Sequence, residues 1–167
     1  MDVLLRCVNS SFFLSHSLRR DVEAFLVMKG GEDPPKTLRF VGDGLRYLNP
    51  DERSTASLVR NALLRKVGDE EVGSSPGIFI SRMDLGDVLE KLAEVSEIIY
   101  LKEDGEDVRD VTFDGDLTFV LGDDRDLDED EEAILKKYSA RSVRLGPLSY
   151  HSDHCITIVH NELDRRQ

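Results

Sequence analysis

Cysteine is scarce in this chain. The only two, Cys7 and Cys155, stand far apart, which argues against a disulfide framework and makes a reducing cytoplasm the expected compartment. Long hydrophobic runs are missing as well: the apolar start Met1-Asp2-Val3-Leu4-Leu5 is cut by Arg6, and nowhere do the roughly 18 apolar residues of a membrane span follow one another. A soluble protein with no membrane partner is expected. Positive charge is in the minority, 22 basic against 34 acidic side chains, for a formal net charge of -12. Such a balance argues against a free-standing nucleic-acid binder. It leaves open a protein that gathers its basic groups on one face, because salt screens exposed acids over roughly 8 Å.

What is present suffices for one globular domain over 1–167, with 40% hydrophobic residues to build a core. Val3, Leu4, Cys7, Val8, Phe12 and Leu14 fall at near-helical spacing over 2–15. Val22 to Met28 reads as a buried strand stopped by Gly30-Gly31 and Asp33-Pro34-Pro35. Thr37–Val41 and Leu45–Leu48 flank Gly42-Asp43-Gly44, so a small antiparallel hairpin is expected there through its Asp-Gly pair. Ser54 is the expected cap of a helix running to about Val67, followed by a loop from Gly68 to Gly77. Further along come an extended run at Ile78–Ile80, a helix at Leu85–Leu92 and strands at Ile98–Leu101 and Leu117–Leu121. A helix at Asp128–Tyr138, a strand at Ser142–Leu145 and a last helix from about Asp153 complete the order. Strands alternating with helices predict an α/β fold with a parallel sheet covered on both faces.

The strongest functional signal lies in two short strands that each end in a glycine turn, Phe119-Val120-Leu121-Gly122-Asp123 and Arg144-Leu145-Gly146-Pro147-Leu148-Ser149-Tyr150. In open α/β sheets ligands bind beyond the carboxyl ends of strands, where glycine lets backbone groups approach closely. With the following His151-Ser152-Asp153-His154-Cys155 and Ile156 to Arg165, these loops resemble the archaeal tRNA pseudouridine-54 N1-methyltransferase family, of the SPOUT class. Ser15-His16-Ser17-Leu18-Arg19-Arg20-Asp21, Asn49-Pro50-Asp51-Glu52-Arg53-Ser54-Thr55-Ala56 and Pro76 to Arg82 are similar to it in the same order. Two departures stand out: the family's opening strand has no counterpart before Met1, and Asp124-Arg125-Asp126 occupies the place of a histidine and glycine.

The resemblance implies a SPOUT-type parallel sheet with a C-terminal trefoil knot, a homodimer, and S-adenosyl-L-methionine as cofactor. The implied reaction is methylation of N1 of pseudouridine 54 in the TΨC loop of tRNA, with no part for DNA. Another pseudouridine or uridine in ribosomal RNA is the alternative acceptor, and a non-catalytic RNA- or protein-binding module is the alternative outside enzymes. By the resemblance, Leu121, Gly122, Leu145, Gly146, Leu148, Tyr150 and Cys155 line the cofactor site, although Leu145 and Leu148 could equally be core. Cys155 is better explained by packing than as a nucleophile, since deprotonated pseudouridine N1 is itself nucleophilic. Asp153, His154 and Glu162 are the candidate proton acceptors. Arg6, Asn9, Arg19, Arg20, Arg53, Arg60 and Arg82 are the candidate RNA contacts, with structural salt bridges as the alternative.

No metal is expected. His154 and His160 lie six positions apart, unlike an i, i+4 ligand pair. The run Asp124, Asp126, Asp128 mimics a calcium loop but has Glu129 in place of its glycine and Leu135 in place of its last glutamate. Acids favoured at the positive end of a helix explain that run better.

Overall fold

The computed structural model describes residues 1–166, which form two compact units, Met1–Asp84 and Leu85 onward. In the first, helix α1 (Asp2–Phe12) turns Leu5, Val8 and Phe12 into the core. Strands β1 (Glu23–Met28), β2 (Lys36–Val41), β3 (Val72–Ser75) and β4 (Ile78–Ser81) make an antiparallel sheet in the order β1-β2-β4-β3. Alternation along β2 buries Leu38 and Phe40. Helix α2 (Glu52–Leu63) contributes Val59 and Ala62 to the same core.

Three local expectations are corrected. The predicted hairpin does not form: Gly42–Gly44 is a 3₁₀ turn, Leu45–Leu48 is not a strand, and β2 pairs instead with β1 and with the distant β4. The turn is captured by its surroundings, because the Gly42 amide donates to Val22 O and the Arg20 guanidinium donates to Gly42 O and Leu45 O, both at 2.7 Å. The cap of α2 is Asp51, not Ser54; the Asp51 carboxylate accepts from the Ser54 amide at 2.8 Å. Within the expected loop 68–77, Val72–Ser75 is a strand, held by the apolar β4 beside it.

The second unit holds α3 (Leu85–Ala93), β5 (Glu97–Asp107), β6 (Leu117–Val120), α4 (Glu129–Lys137), β7 (Arg141–Arg144) and α5 (Ser152–Asp164). Its sheet is parallel, in the order β6-β5-β7. Successive residues of β5 serve opposite faces: Ile98 and Tyr100 pack with Leu89 of α3 and Leu135 of α4, while Ile99 packs with Val108, Val111 and Val143. The acidic run is a helix start. Asp128 and Glu131 form a reciprocal capping box, and Glu129 to Glu132 fill the first turn of α4. Among the described residues no cluster of histidine, cysteine and acids could hold a metal ion.

Candidate cofactor site

Strand β5 runs six residues past the predicted Leu101, and this extension builds the site. Its register against β7 shifts between Leu101 and Glu106, both of which pair with Val143, so residues 102–105 form a bulge. Lys102 anchors the bulge to α4 through a 2.7 Å ion pair with Glu132. Glu103 then faces a cleft of about 340 Å³ lined also by Asp107, Arg144, Gly146, Pro147 and Leu148, a size within the range of small-molecule sites. Asp107 and Arg144 pair across it at 3.6 Å, and the Val108 amide donates to Arg144 O.

Gly146 has φ +149, a conformation that side chains disfavour. A Cβ there would face the Tyr150 ring at 3.7 to 3.8 Å. Leu145 packs against the Val143 core, whereas Leu148 is 67% exposed beside the cleft. Leu121 is half-buried at the end of β6. The two glycine loops meet at Ser152, whose Oγ lies 2.7 Å from Gly122 O and 2.5 Å from Asp123 O. Asp123 folds its carboxylate onto the Asp124 amide, and that bond holds it below the usual carboxylate range.

At the start of α5, Asp153 is buried and His154 exposed, with His154 Nε2 3.8 Å from Asp153 Oδ2. Burial pushes the Cys155 thiol above its ordinary pKa, and the carboxylates of Asp153 and Glu103 push it the same way. The thiol points toward Tyr150 O at 3.7 Å. Glu162 is set apart from these groups: nine residues further along α5, roughly 13 Å on a helix, it binds Arg109 at 2.7 and 3.0 Å. Hydrogen bonding to that guanidinium holds Glu162 below the usual range and commits it to structure.

The candidate RNA contacts all lie in the first unit and divide by employment. Arg20 holds the Gly42 turn, Arg82 binds Asp33 and Val67 O, and Asn9 accepts from the buried Thr55 hydroxyl at 2.9 Å. Arg6 and Arg19 are half-buried. Arg53 and Arg60 stand exposed, seven positions apart on α2 and thus on one face. Glu103, Asp107 and Ser152 stand outside the set of site residues expected from the sequence. Only Ser152 carried a signal, as a serine beside a helix start.

A family model described as "Putative SAM-dependent RNA methyltransferase" matches residues 1–167. The chain is similar to proteins named tRNA (pseudouridine(54)-N(1))-methyltransferase. That of Methanococcoides burtonii is 46% identical over 99% of this chain and 83% of its own length. That of Methanocella arvoryzae is 47% identical over 99% and 85%, and that of Natronomonas pharaonis 45% over 98% and 82%. Among solved structures, Archaeoglobus fulgidus Nep1 bound to S-adenosylhomocysteine superposes with a TM-score of 0.60 over 98% of this chain and 69% of that one, at 17% identity. That likeness is one of fold.

Proposed function

The chain belongs to the family of S-adenosylmethionine-dependent RNA methyltransferases, and from that premise we propose that it methylates N1 of pseudouridine 54 in tRNA. The observation that carries the reading is the joining of the Gly122 and Gly146 loops around α5, where Ser152 bridges one loop to the end of the other. The residues at the cleft fit the cofactor. Leu148 and Pro147 offer apolar contact, the open side of Gly146 admits a ligand atom where a Cβ would stand, and Glu103 suits a cationic group. When bound, S-adenosylmethionine supplies a methyl group activated by a sulfonium.

The protein's own part is to position and to manage one proton. Reacting atoms held about 3 to 3.5 Å apart in line need no covalent help. His154, with Asp153 beside it, takes the N1 proton, while Glu162 stays with Arg109. The finer features follow the family resemblance: the α5 segment is tucked through a loop as a trefoil knot, two copies form a dimer near the cofactor, and the protein works in the cytoplasm. Contacts of the right kind tie the end of α5 down, since Arg166 donates to Val111 O and Val108 O and lies 4.9 Å over the Phe113 ring. No helix among the described residues is long and apolar enough to cross a membrane.

Calorimetry tests the cofactor step first, with micromolar binding of S-adenosylmethionine expected; absence of binding by the folded protein contradicts the enzyme reading. Glu103→Gln should weaken that binding roughly fivefold, the scale of a partly solvated charge pair, and an unchanged affinity would remove Glu103 from cation recognition. Cys155 is a packing residue whose thiol stays protonated. Cys155→Ala should therefore keep measurable single-turnover methylation, with a loss on the order of 1 to 3 kcal/mol in the barrier. A rate loss beyond about a thousandfold, roughly 4 kcal/mol, at unchanged cofactor affinity would restore a covalent role.

A further inference from the structure

We propose that Arg46 and Tyr47 form a base-stacking platform by which the first unit grips an unpaired nucleotide of the RNA; the inference rests on the RNA methyltransferase reading above. Tyr47 is 65% exposed, yet it stands between Leu45 and Leu48, which are 0% and 6% exposed in the core. Neighbouring bonds fix the segment. Arg20 donates to Leu45 O at 2.7 Å, and the Asn49 amide reaches both Tyr47 O at 3.5 Å and Ser54 Oγ at 3.1 Å. An aromatic ring is thus held out to solvent by a backbone that is already ordered, which lowers the entropy cost of using it.

Charge selects the partner. The first unit holds twelve basic and twelve acidic side chains, whereas the second holds ten and 22 and so carries the whole net charge of -12. A polyanion is therefore repelled least at the first unit. Among the described residues, the guanidinium groups of Arg46, Arg53 and Arg60 are exposed and make no ion pair or side-chain hydrogen bond. Those of Arg20, Arg39 and Arg82 are engaged. The Asn49 bond to Ser54 sets the Tyr47 segment against the first turn of α2, which carries Arg53. Glu52 shares that turn with Arg53, while Asp51 before it is occupied as the cap. An aromatic face beside uncommitted arginines is the chemistry that binds single-stranded RNA, bases on the ring and phosphates on the forks.

The test is fluorescence anisotropy with a labelled TΨC-arm RNA hairpin carrying pseudouridine in its loop, at saturating S-adenosylhomocysteine. Tyr47→Ala should weaken RNA binding roughly fivefold to a hundredfold, Tyr47→Phe should bind as the parent does, and both should bind S-adenosylhomocysteine normally. Arg46→Ala should lower the slope of log affinity against log salt by about 0.7 to 0.9, while Tyr47→Ala leaves that slope unchanged. Normal RNA binding by Tyr47→Ala would overturn the platform alone. A fall with Tyr47→Phe equal to that with alanine would overturn stacking, and a changed sedimentation coefficient with unchanged RNA affinity would assign Tyr47 to a protein contact instead. Failure of the parent protein to bind the hairpin while it binds S-adenosylhomocysteine would remove the RNA reading and the platform with it.

Discussion

Gly122→Val should abolish measurable cofactor binding, with affinity falling by roughly a hundredfold or more. An added Cβ at Gly122 would stand 1.8 Å from Arg125 O and 3.0 Å from Arg125 C. Neither is a flexible side chain that can swing aside, so the 122–126 loop has to open. Opening it breaks the approach of Ser152 to Gly122 O and Asp123 O, and with it the joining of the two loops. Calorimetry with S-adenosylmethionine, alongside circular dichroism to check the fold, reads the effect. A Gly122→Val protein that binds the cofactor normally would show that the loop junction is not part of the site.

The second large effect is on stability. Gly105 is buried in the β5 bulge, and a Cβ there would meet Val143 N and the Ser142 carbonyl group at 2.5 to 2.7 Å. Overpacking of side chains costs about 1 to 3 kcal/mol. Here the obstacle is the backbone of β7, so Gly105→Val should reach about 3 kcal/mol or more and displace β7 from the extension of β5. Denaturant unfolding of parent and variant measures the difference. A loss under about 1 kcal/mol would mean that the close approach of β5 and β7 is not fixed by packing.

Most helices of the second unit were legible because their signals are local: apolar spacing over α3, and an acidic cap and first turn at α4. The glycine loops were legible for the same reason, since a strand that ends in glycine marks where a backbone must come close to something. Three kinds of feature escaped. Strand β3 is rich in glycine and serine and is held by pairing to β4, a cross-strand effect with no trace in its own residues. The Asp-Gly turn signal at 43–44 was overruled by Arg20 and Val22, more than twenty positions away. The acidic end of β5, with Glu103 to Asp107, has poor strand propensity and is extended because β7 lies beside it. Glu103 and Ser152 acquired their places from that crossing of chain segments, which spacing within one segment does not encode.

The candidate base illustrates the same limit. Asp153, His154 and Glu162 are equivalent in sequence, all acids or imidazole near the last helix. Folding separates them by giving Glu162 to Arg109 and leaving His154 exposed beside Asp153 at the end of α5 nearest the glycine loops.

The step that most needs a direct test is transfer of a methyl group to N1 of pseudouridine 54. Its most direct test is mass spectrometry of nucleosides from tRNA incubated with the protein and isotopically labelled S-adenosylmethionine. Label is expected in N1-methylpseudouridine from the TΨC loop, and none when the tRNA carries uridine at position 54. Label on uridine or on pseudouridine N3, or no transfer by a protein that binds both cofactor and tRNA, would contradict it.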